Sequence, residues 1–335
     1  MNDRSTLRFL AAPVDAAADG TTVQAGSVLE WIDKASYACA VGWSRSACVT
    51  AYVGNVHFTR PIAVGDLVEA EARVIHTGRS SIHVLVTVAS ADARDRRFAR
   101  ATHCILVFVA VDENGRPREV PKWTPRTGED LELSIGAESR IAARSRIHAA
   151  MREQVYSEEG SGPCVLLRFL ASPSVANFGG NAHGGTVMRW IDEAARTCAI
   201  GWSKHASVAV YSGGIHFYKP IHIGDIVEVE ARLIHTSERS MHFAIHVRSG
   251  DPRVNGLTLT TQCMSIFVAL DADGRAAPVP ALPLTTAEDL RLDAHARQLT
   301  EMRAALTAMP ISGGDLGLAS ARAPQAGTRS GATPD

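Results

Sequence analysis

Two aspartates stand at matching places in this chain, Asp33 in VLEWIDKAS and Asp192 in VMRWIDEAA. Each follows an apolar residue, Leu29 or Met188, by four positions, which on a helix sets the carboxylate beside the buried stripe. A carboxylate held there can take a proton from water as a general base. Ahead of the second aspartate runs NFGGNAHGG, residues 177–185. Asn177 offers both a donor and an acceptor, so it can orient a water or a carbonyl. Gly184 and Gly185 open the helical pattern, where free N–H groups and the helix dipole favour an oxyanion. Asn181 stays open between function and a turn that bonds its own backbone. His183 stays open between an acid or base and a hydrogen-bonding residue at the helix entry. Together these are the parts that add water to a carbonyl.

The elements that carry them occur twice. WIDKASYACAVGWS at 31–44 returns as WIDEAARTCAIGWS at 190–203, and GNVHFTRPIAVGDLVEAEARVIHT at 54–77 returns as GGIHFYKPIHIGDIVEVEARLIHT at 213–236. The offset is 159 residues and persists to the EDL at 129–131 and 288–290, so the chain is a duplication whose unit includes its trailing helix. The copies differ where the chemistry is. Thr22, Gln24 and Ala25 stand where the later copy has Asn181, His183 and Gly184, and no asparagine lies between Pro13 and Gly26.

Within the later unit, VLLRFL at 165–170 reads as a strand, followed by a Gly/Asn-rich loop and a long helical pattern from about Gly185 to Lys204, with Met188, Ile191, Ala195 and Ala199 buried. Four Val/Ile-rich runs follow, and IVEVEARLIH alternates as a half-buried antiparallel strand does. The fold class is α+β: two units in tandem, each an antiparallel sheet wrapped around a long central helix, joined through their sheets as a pseudo-dimer. The boundaries read as a first domain at 1–127, a linker helix at 128–160, a second domain at 161–284, a C-terminal helix at 285–308 and a disordered tail at 309–335.

Composition narrows the partners. With 34 Lys+Arg against 35 Asp+Glu and a net charge of −1, nothing favours nucleic acid or an anionic membrane. No apolar run is long enough to span a bilayer and no secretion signal opens the chain, so the expected location is the cytoplasm. The six cysteines include no CxxC and sit mostly in apolar runs, which reads as free thiols and no metal. The paired histidines His57/His216 and His76/His235 read as core or interface residues.

The pattern NxxGNxHGGxxMxxxD at 177–192, with the GGIHFYKPIHIGD hairpin and the IHTxxxSM strand pair, resembles the acyl-CoA thioesterases of the hotdog fold. Up to about residue 300 the chain is similar to the cytosolic acyl-CoA hydrolases that carry two hotdog domains in one polypeptide. The resemblance implies hydrolysis of fatty acyl-CoA to free acid and CoA, with no cofactor beyond the CoA of the substrate. It further implies a site at the joint between units, pairing the loop asparagine of one with the helical aspartate of the other. Asn177 with Asp33 makes a complete pair, whereas Asp192 faces a loop that lacks its asparagine. Catalysis therefore needs both copies and runs at one joint.

For the CoA phosphates the candidates are Arg79 with Ser80 and Ser81, Arg239 with Ser240, and Arg60 or Lys219 before the shared proline. Trp31, Trp43, Trp190 and Trp202 are available to line the acyl tail or to fill the core. Two other readings stand beside hydrolysis: a hotdog hydratase or dehydratase using His183 with Asp33, and a sensor that binds acyl-CoA without turnover. The resemblance also implies a homo-oligomer, a trimer of double hotdogs. Sedimentation equilibrium is expected to give about three chains per particle; a monomer at working concentration contradicts it.

Overall fold

The computed structural model describes residues 2–17, 19–157, 159–177, 179–306 and 309; the tail expected at 309–335 lies, beyond Met309, outside the described residues. The first unit runs β1 (Arg4–Leu10), α1 (Ala25–Ser44), β2 (Ala47–Val53), β3 (Val56–His57), β4 (Asp66–Thr77), β5 (Ser81–Asp92), β6 (Ala99–Val111) and α2 (Gly128–Arg152). The second repeats the order as β7 (Cys164–Leu170), α3 (Gly184–Ser203), β8 (Ala206–Phe217), β9 (Ile226–Thr236), β10 (Ser240–Gly250), β11 (Thr258–Leu270), β12 (Ala276–Ala277) and α4 (Ala287–Ala304). Each unit is a hotdog, and the two are in tandem.

The strands form one sheet in the order β1-β4-β5-β6-β2-β8-β11-β10-β9-β7. Neighbours pair antiparallel throughout. The seam between units is made by β2 and β3 on β8, with Tyr52 opposite His216, Val53 opposite Ile215, Val56 opposite Ser212 and His57 opposite Tyr211. Two elements have no counterpart: β3, because YSGGIHF continues β8 unbroken while the matching YVGNVHF divides into β2 and β3, and β12, which pairs with the end of β11.

The alternation of the strands sorts the two faces. Val68, Ala70, Ala72 and Val74 point at α1, and Val227, Val229, Ala231 and Leu233 point at α3. On the opposite face α4 and the end of α2 cover a second cluster through Ile147, Met151, Leu292, Ala296 and Leu299. Both covering helices open on the same signal, Thr127 with Asp130 and Thr286 with Asp289, where each threonine accepts the third N–H and each aspartate returns a bond. His235 and His76 hold these helices from the sheet, at 2.6 Å from Asp293 and 3.4 Å from Ser134.

Helices α1 and α3 lie antiparallel and touch through their N-terminal halves, so Gly26 meets Asp192 and Gly185 meets Asp33. Glycine is required there. A Cβ on Gly185 would stand 2.8 Å from the Glu30 Cα, and one on Gly26 would stand 3.0 Å from the Arg189 Cα. Gly201, late in α3, has nothing within 4 Å of the same position. Gly185→Ala is expected to destabilise by about 1–3 kcal/mol, the cost of overpacking against backbone. Gly201→Ala is expected to stabilise by about 0.5–1 kcal/mol through helix propensity. Thermal melts of the two variants check the order.

Candidate active site

The residues around Asp33 come from both units. Asp33 is 1% exposed in the middle of α1. Its Oδ1 accepts a hydrogen bond from the Thr50 hydroxyl of β2 at 2.9 Å. Its Oδ2 accepts the Gly185 N–H of α3 at 2.8 Å, across the joint. His183, the residue that caps α3, brings Nδ1 to 2.8 Å from the same Oδ2. The Gly185 N–H also lies 3.2 Å from that Nδ1. One nitrogen cannot both donate to Asp33 and accept from Gly185, and the shorter contacts to the carboxylate decide that it donates. Burial works to lower the His183 pKa, but the hydrogen bond and charge of Asp33 overcome it and hold the ring above its ordinary value. Tyr37, one turn beyond Asp33, sets its ring edge-on to His183 at 6.1 Å. Burial, with Cys48 and Asp33 nearby, raises its hydroxyl pKa.

The pseudo-symmetric joint keeps the scaffold and changes the chemistry. Asp192, 4% exposed, accepts the Gly26 N–H of α1 at 3.1 Å, the mirror of Asp33 on Gly185. Arg196, where the first unit has Tyr37, forms an ion pair with Asp192 and reaches Gln24 Oε1 at 2.9 Å. Gln24 stands for His183, and Ala209 for Thr50. Burial raises the Asp192 carboxyl, and Arg196 with the Gly26 N–H offsets this only in part. Its carboxylate is therefore enclosed and neutralised, without the hydroxyl and imidazole that surround Asp33.

The other expected residues fall in several places. Asn177 uses Oδ1 to accept the N–H groups of Gly179 at 2.8 Å and Asn181 at 3.1 Å, so its oxygen holds the loop together. Asn181 donates Nδ2 to the Gly179 carbonyl at 3.4 Å and its backbone bridges to His222. Gly184 packs closest to the pair, with its Cβ position 2.9 Å from the Thr50 Oγ1. The Gly185 N–H, expected to be free for an oxyanion, is instead given to Asp33 because the antiparallel joint brings a carboxylate to it.

A cleft of about 590 Å³ opens beside the same loop, lined by Lys219, His222, Asp225, Ser249 and Arg253 among others, while Asp33 and Thr50 do not line it. Arg60 is exposed; Arg79 and Arg239 are exposed and approach Glu119 and Glu238 at 3.8 and 3.6 Å. Ser80 lies in the β4–β5 turn and Ser81 opens β5, and Ser240 bonds Ser237 and His242. The tryptophans fill core and ends: Trp31 stacks on Phe9, Trp190 meets Phe169 edge-on, and Trp43 and Trp202 donate to the Pro121 and Pro280 carbonyls. Five cysteines are buried, while Cys164 lies exposed on the edge strand. No described helix is long and apolar enough to cross a membrane.

Sequence reasoning missed Thr50, Tyr37 and Arg196. A signal was available: at an offset of 159 the copies differ in chemistry at these positions, Thr50 against Ala209 and Tyr37 against Arg196.

A family model described as the thioesterase superfamily matches residues 20–95 and again 179–255. An uncharacterized acyl-CoA thioester hydrolase of Haemophilus influenzae is 33% identical over 133 residues, which cover 38% of this chain and 83% of that protein. The chain belongs to the thioesterase superfamily. The cytosolic acyl coenzyme A thioester hydrolase of Homo sapiens is 25% identical over 320 residues, covering 87% of this chain and 81% of that one. Among solved structures, a putative oleoyl thioesterase from Lactobacillus plantarum superposes with a TM-score of 0.56 over 80% of this chain and 97% of its own, at 8% identity, a likeness of fold alone.

The raised pKa of His183 has a signed consequence. A charged ring beside Asp33 adds stability that is fully present below the unfolded value of 6.5 and is lost as pH rises through the higher folded value. Above it the ring is neutral and the pair keeps only a hydrogen bond from an uncharged imidazole to the carboxylate. The melting-temperature gap between the parent and His183→Gln is expected to be largest near pH 6 and to shrink by about pH 9. A gap independent of pH overturns the charged pair.

Proposed function

We propose that the protein is an acyl-CoA thioesterase that hydrolyses fatty acyl-CoA to free acid and CoA at one composite site. The observation that carries the assignment is the Asp33 carboxylate, bonded by Thr50 of its own unit and by Gly185 and His183 of the other, in a member of the thioesterase superfamily. The relatives named acyl-CoA thioester hydrolases, one of them over most of the chain, supply the substrate class.

In this reading Asp33 is the general base. Water adds to the thioester carbonyl and its proton passes to the carboxylate, whose two oxygens are already aimed by three donors, so little reorganisation is needed. Asn177 orients the water or the carbonyl through its amide nitrogen, its oxygen being committed to the loop. The Gly184 N–H, one residue before the donor taken by Asp33, meets the oxyanion at the positive end of α3. The tetrahedral intermediate then expels the CoA sulfur, which recovers the proton from Asp33. Basic side chains receive the phosphates: Lys219 lines the cleft beside the loop, and Arg60, Arg79, Arg239 and the neighbouring serines are the further candidates. No cofactor is required beyond the CoA that the substrate brings. The cytosolic naming of the human relative supports a cytoplasmic location, and trimeric assembly completes the reading.

One observation favours a second reading. A histidine 2.8 Å from a carboxylate is also the pair a hotdog hydratase or dehydratase needs to move protons on a 2-enoyl or 3-hydroxyacyl thioester. Thiol release from acyl-CoA of increasing chain length separates the three possibilities. Release supports hydrolysis, hydration of enoyl-CoA without thiol release supports the second reading, and tight binding with neither supports a sensor.

Asp33→Asn is expected to lower kcat by ~10² to 10⁴ fold, the range general-base catalysis supplies, and Asn177→Ala to do similar damage. Thr50→Ala removes one hydrogen bond to a charged group and is expected to cost about tenfold. Asp192→Asn is expected to keep most activity. Matched melting curves exclude unfolding as the cause. If Asp192→Asn abolishes turnover and Asp33→Asn spares it, the working joint is the other one.

A further inference from the structure

The face of the sheet turned away from α1 and α3 carries a second set of chemistry-bearing residues at the β2–β8 seam, outside the site described above. Tyr52 and Tyr211 are repeat mates, as are Arg144 and Arg303. A β-bulge lies just before each tyrosine, between Thr50 and Tyr52 in β2 and between Ala209 and Tyr211 in β8. The extra residue turns the tyrosine to the face opposite Thr50, where two regular steps would have kept it on the same one. Each ring is then covered by its own arginine. The Arg144 Cζ lies 4.9 Å from the Tyr52 centroid and the Arg303 Cζ 5.3 Å from the Tyr211 centroid.

These arginines differ from Arg196 and Arg232, two largely buried cations that have carboxylate partners. Arg196 pairs with Asp192, and Arg232 with Glu230 and Glu288. Arg303 is only 8% exposed, yet among the described residues its other contacts are thioether sulfurs, Met264 at 2.9 Å and Met151 at 3.9 Å. Its Nε is buried and unpartnered. No carboxylate among the described residues pairs with Arg303 or Arg144. Beside them His216, also 8% exposed, stacks on His148 at 4.1 Å and leaves Nε2 buried without a partner among the described residues. The Tyr52 ring under Arg144 stands 4.8 Å from the His216 ring, and a Cβ on Gly214, two residues before His216, would lie 3.3 Å from an Arg303 guanidinium nitrogen, so both arginines border the His216 end of the seam. Burial, then His148, Arg144 and Arg303, push the His216 pKa down to about 3, so that ring is neutral in the working range.

A guanidinium taken out of water without a counter-charge is strongly unfavourable. A tyrosine face and two thioethers return only part of what it loses. We propose that the seam is a binding seat for a small tetrahedral oxyanion, phosphate in kind, gripped between Arg144 and Arg303 with His216 Nε2 as a further donor. Guanidinium forks match such an anion in charge and geometry. Arg303 is too enclosed for a partner's side chain to approach on a folded surface, whereas Arg144 and His148 are half-exposed, the side from which a small ion would reach the proposed seat. A bound anion would tie α2 and α4 together across the seam of the two units.

The test is thermal melting of the full chain in phosphate-free, low-salt buffer, titrated with inorganic phosphate against chloride at equal ionic strength. Binding to the folded state alone raises Tm progressively with ligand concentration, so phosphate is expected to raise it and chloride to have little effect. Arg144→Gln, at the half-exposed position, is expected to bind phosphate at least about tenfold more weakly, a loss consistent with a charge-assisted bond. Arg303→Met is expected to lose the response and to melt no lower than the parent without phosphate, because the variant removes an uncompensated charge. Glycerol 3-phosphate in a parallel titration separates a free anion from the end of a phosphate ester; a response to either that Arg144→Gln weakens supports the seat. No response in the parent, or equal responses in parent and Arg144→Gln as a general salt effect would give, overturns it. A large drop in Tm for Arg303→Met without phosphate also overturns it, since the charge would then be compensated within the chain.

Discussion

The structure depends on one reciprocal contact. Two antiparallel helices meet at their N-terminal halves, and each gives a buried aspartate to a free N–H at the start of the other: Asp33 to Gly185, Asp192 to Gly26. A helix start leaves N–H groups unsatisfied and carries partial positive charge, so a carboxylate placed there is stabilised and stabilises the helix. Neither unit can satisfy this alone. The strand seam of β2 and β3 on β8 joins the sheets, and the crossed carboxylates add directional bonds between the two central helices.

Glycine is the condition for that contact. Gly26 and Gly185 let backbone approach backbone and Gly184 leaves room for the Thr50 hydroxyl and the Asp33 carboxylate, and side chains there would push the aspartates away from the N–H groups they accept. Once the scaffold exists, the two joints are free to diverge. At one, Thr50 and His183 surround the carboxylate with donors; at the other, Arg196 and Gln24 close over it. On the proposed mechanism the first keeps a carboxylate able to accept a proton, and the second keeps only the structural half of the arrangement.

The residues that bond Asp33 stand 17, 150 and 152 positions from it in the chain. Much of this was legible before any coordinates. The offset of 159 identified two copies, strand alternation gave the antiparallel sheet, and Trp-Ile-Asp with the Asn/His/Gly loop marked the joint and its asymmetry. The helix read from about Gly185 to Lys204 is α3 at Gly184–Ser203. These features are local or periodic, and local sequence carries them.

What tertiary structure alone decided was who bonds to whom across the joint. Nothing local says that the Gly185 N–H belongs to Asp33, that Thr50 reaches the same carboxylate, or that Asn177 commits its oxygen to its own loop. A bulge of one residue sends Thr50 and Tyr52 to opposite faces of one strand, against the period of two that a sequence pattern assumes. Burial of Arg303 against thioethers likewise depends on how α2 and α4 cross the sheet. By itself the sequence determined the repeat, the elements and the residues by which the two copies differ. The partners of each charged group were decided by the antiparallel approach of α1 and α3 and by the bulges, because hydrogen bonds over such separations exist only once distant segments are packed.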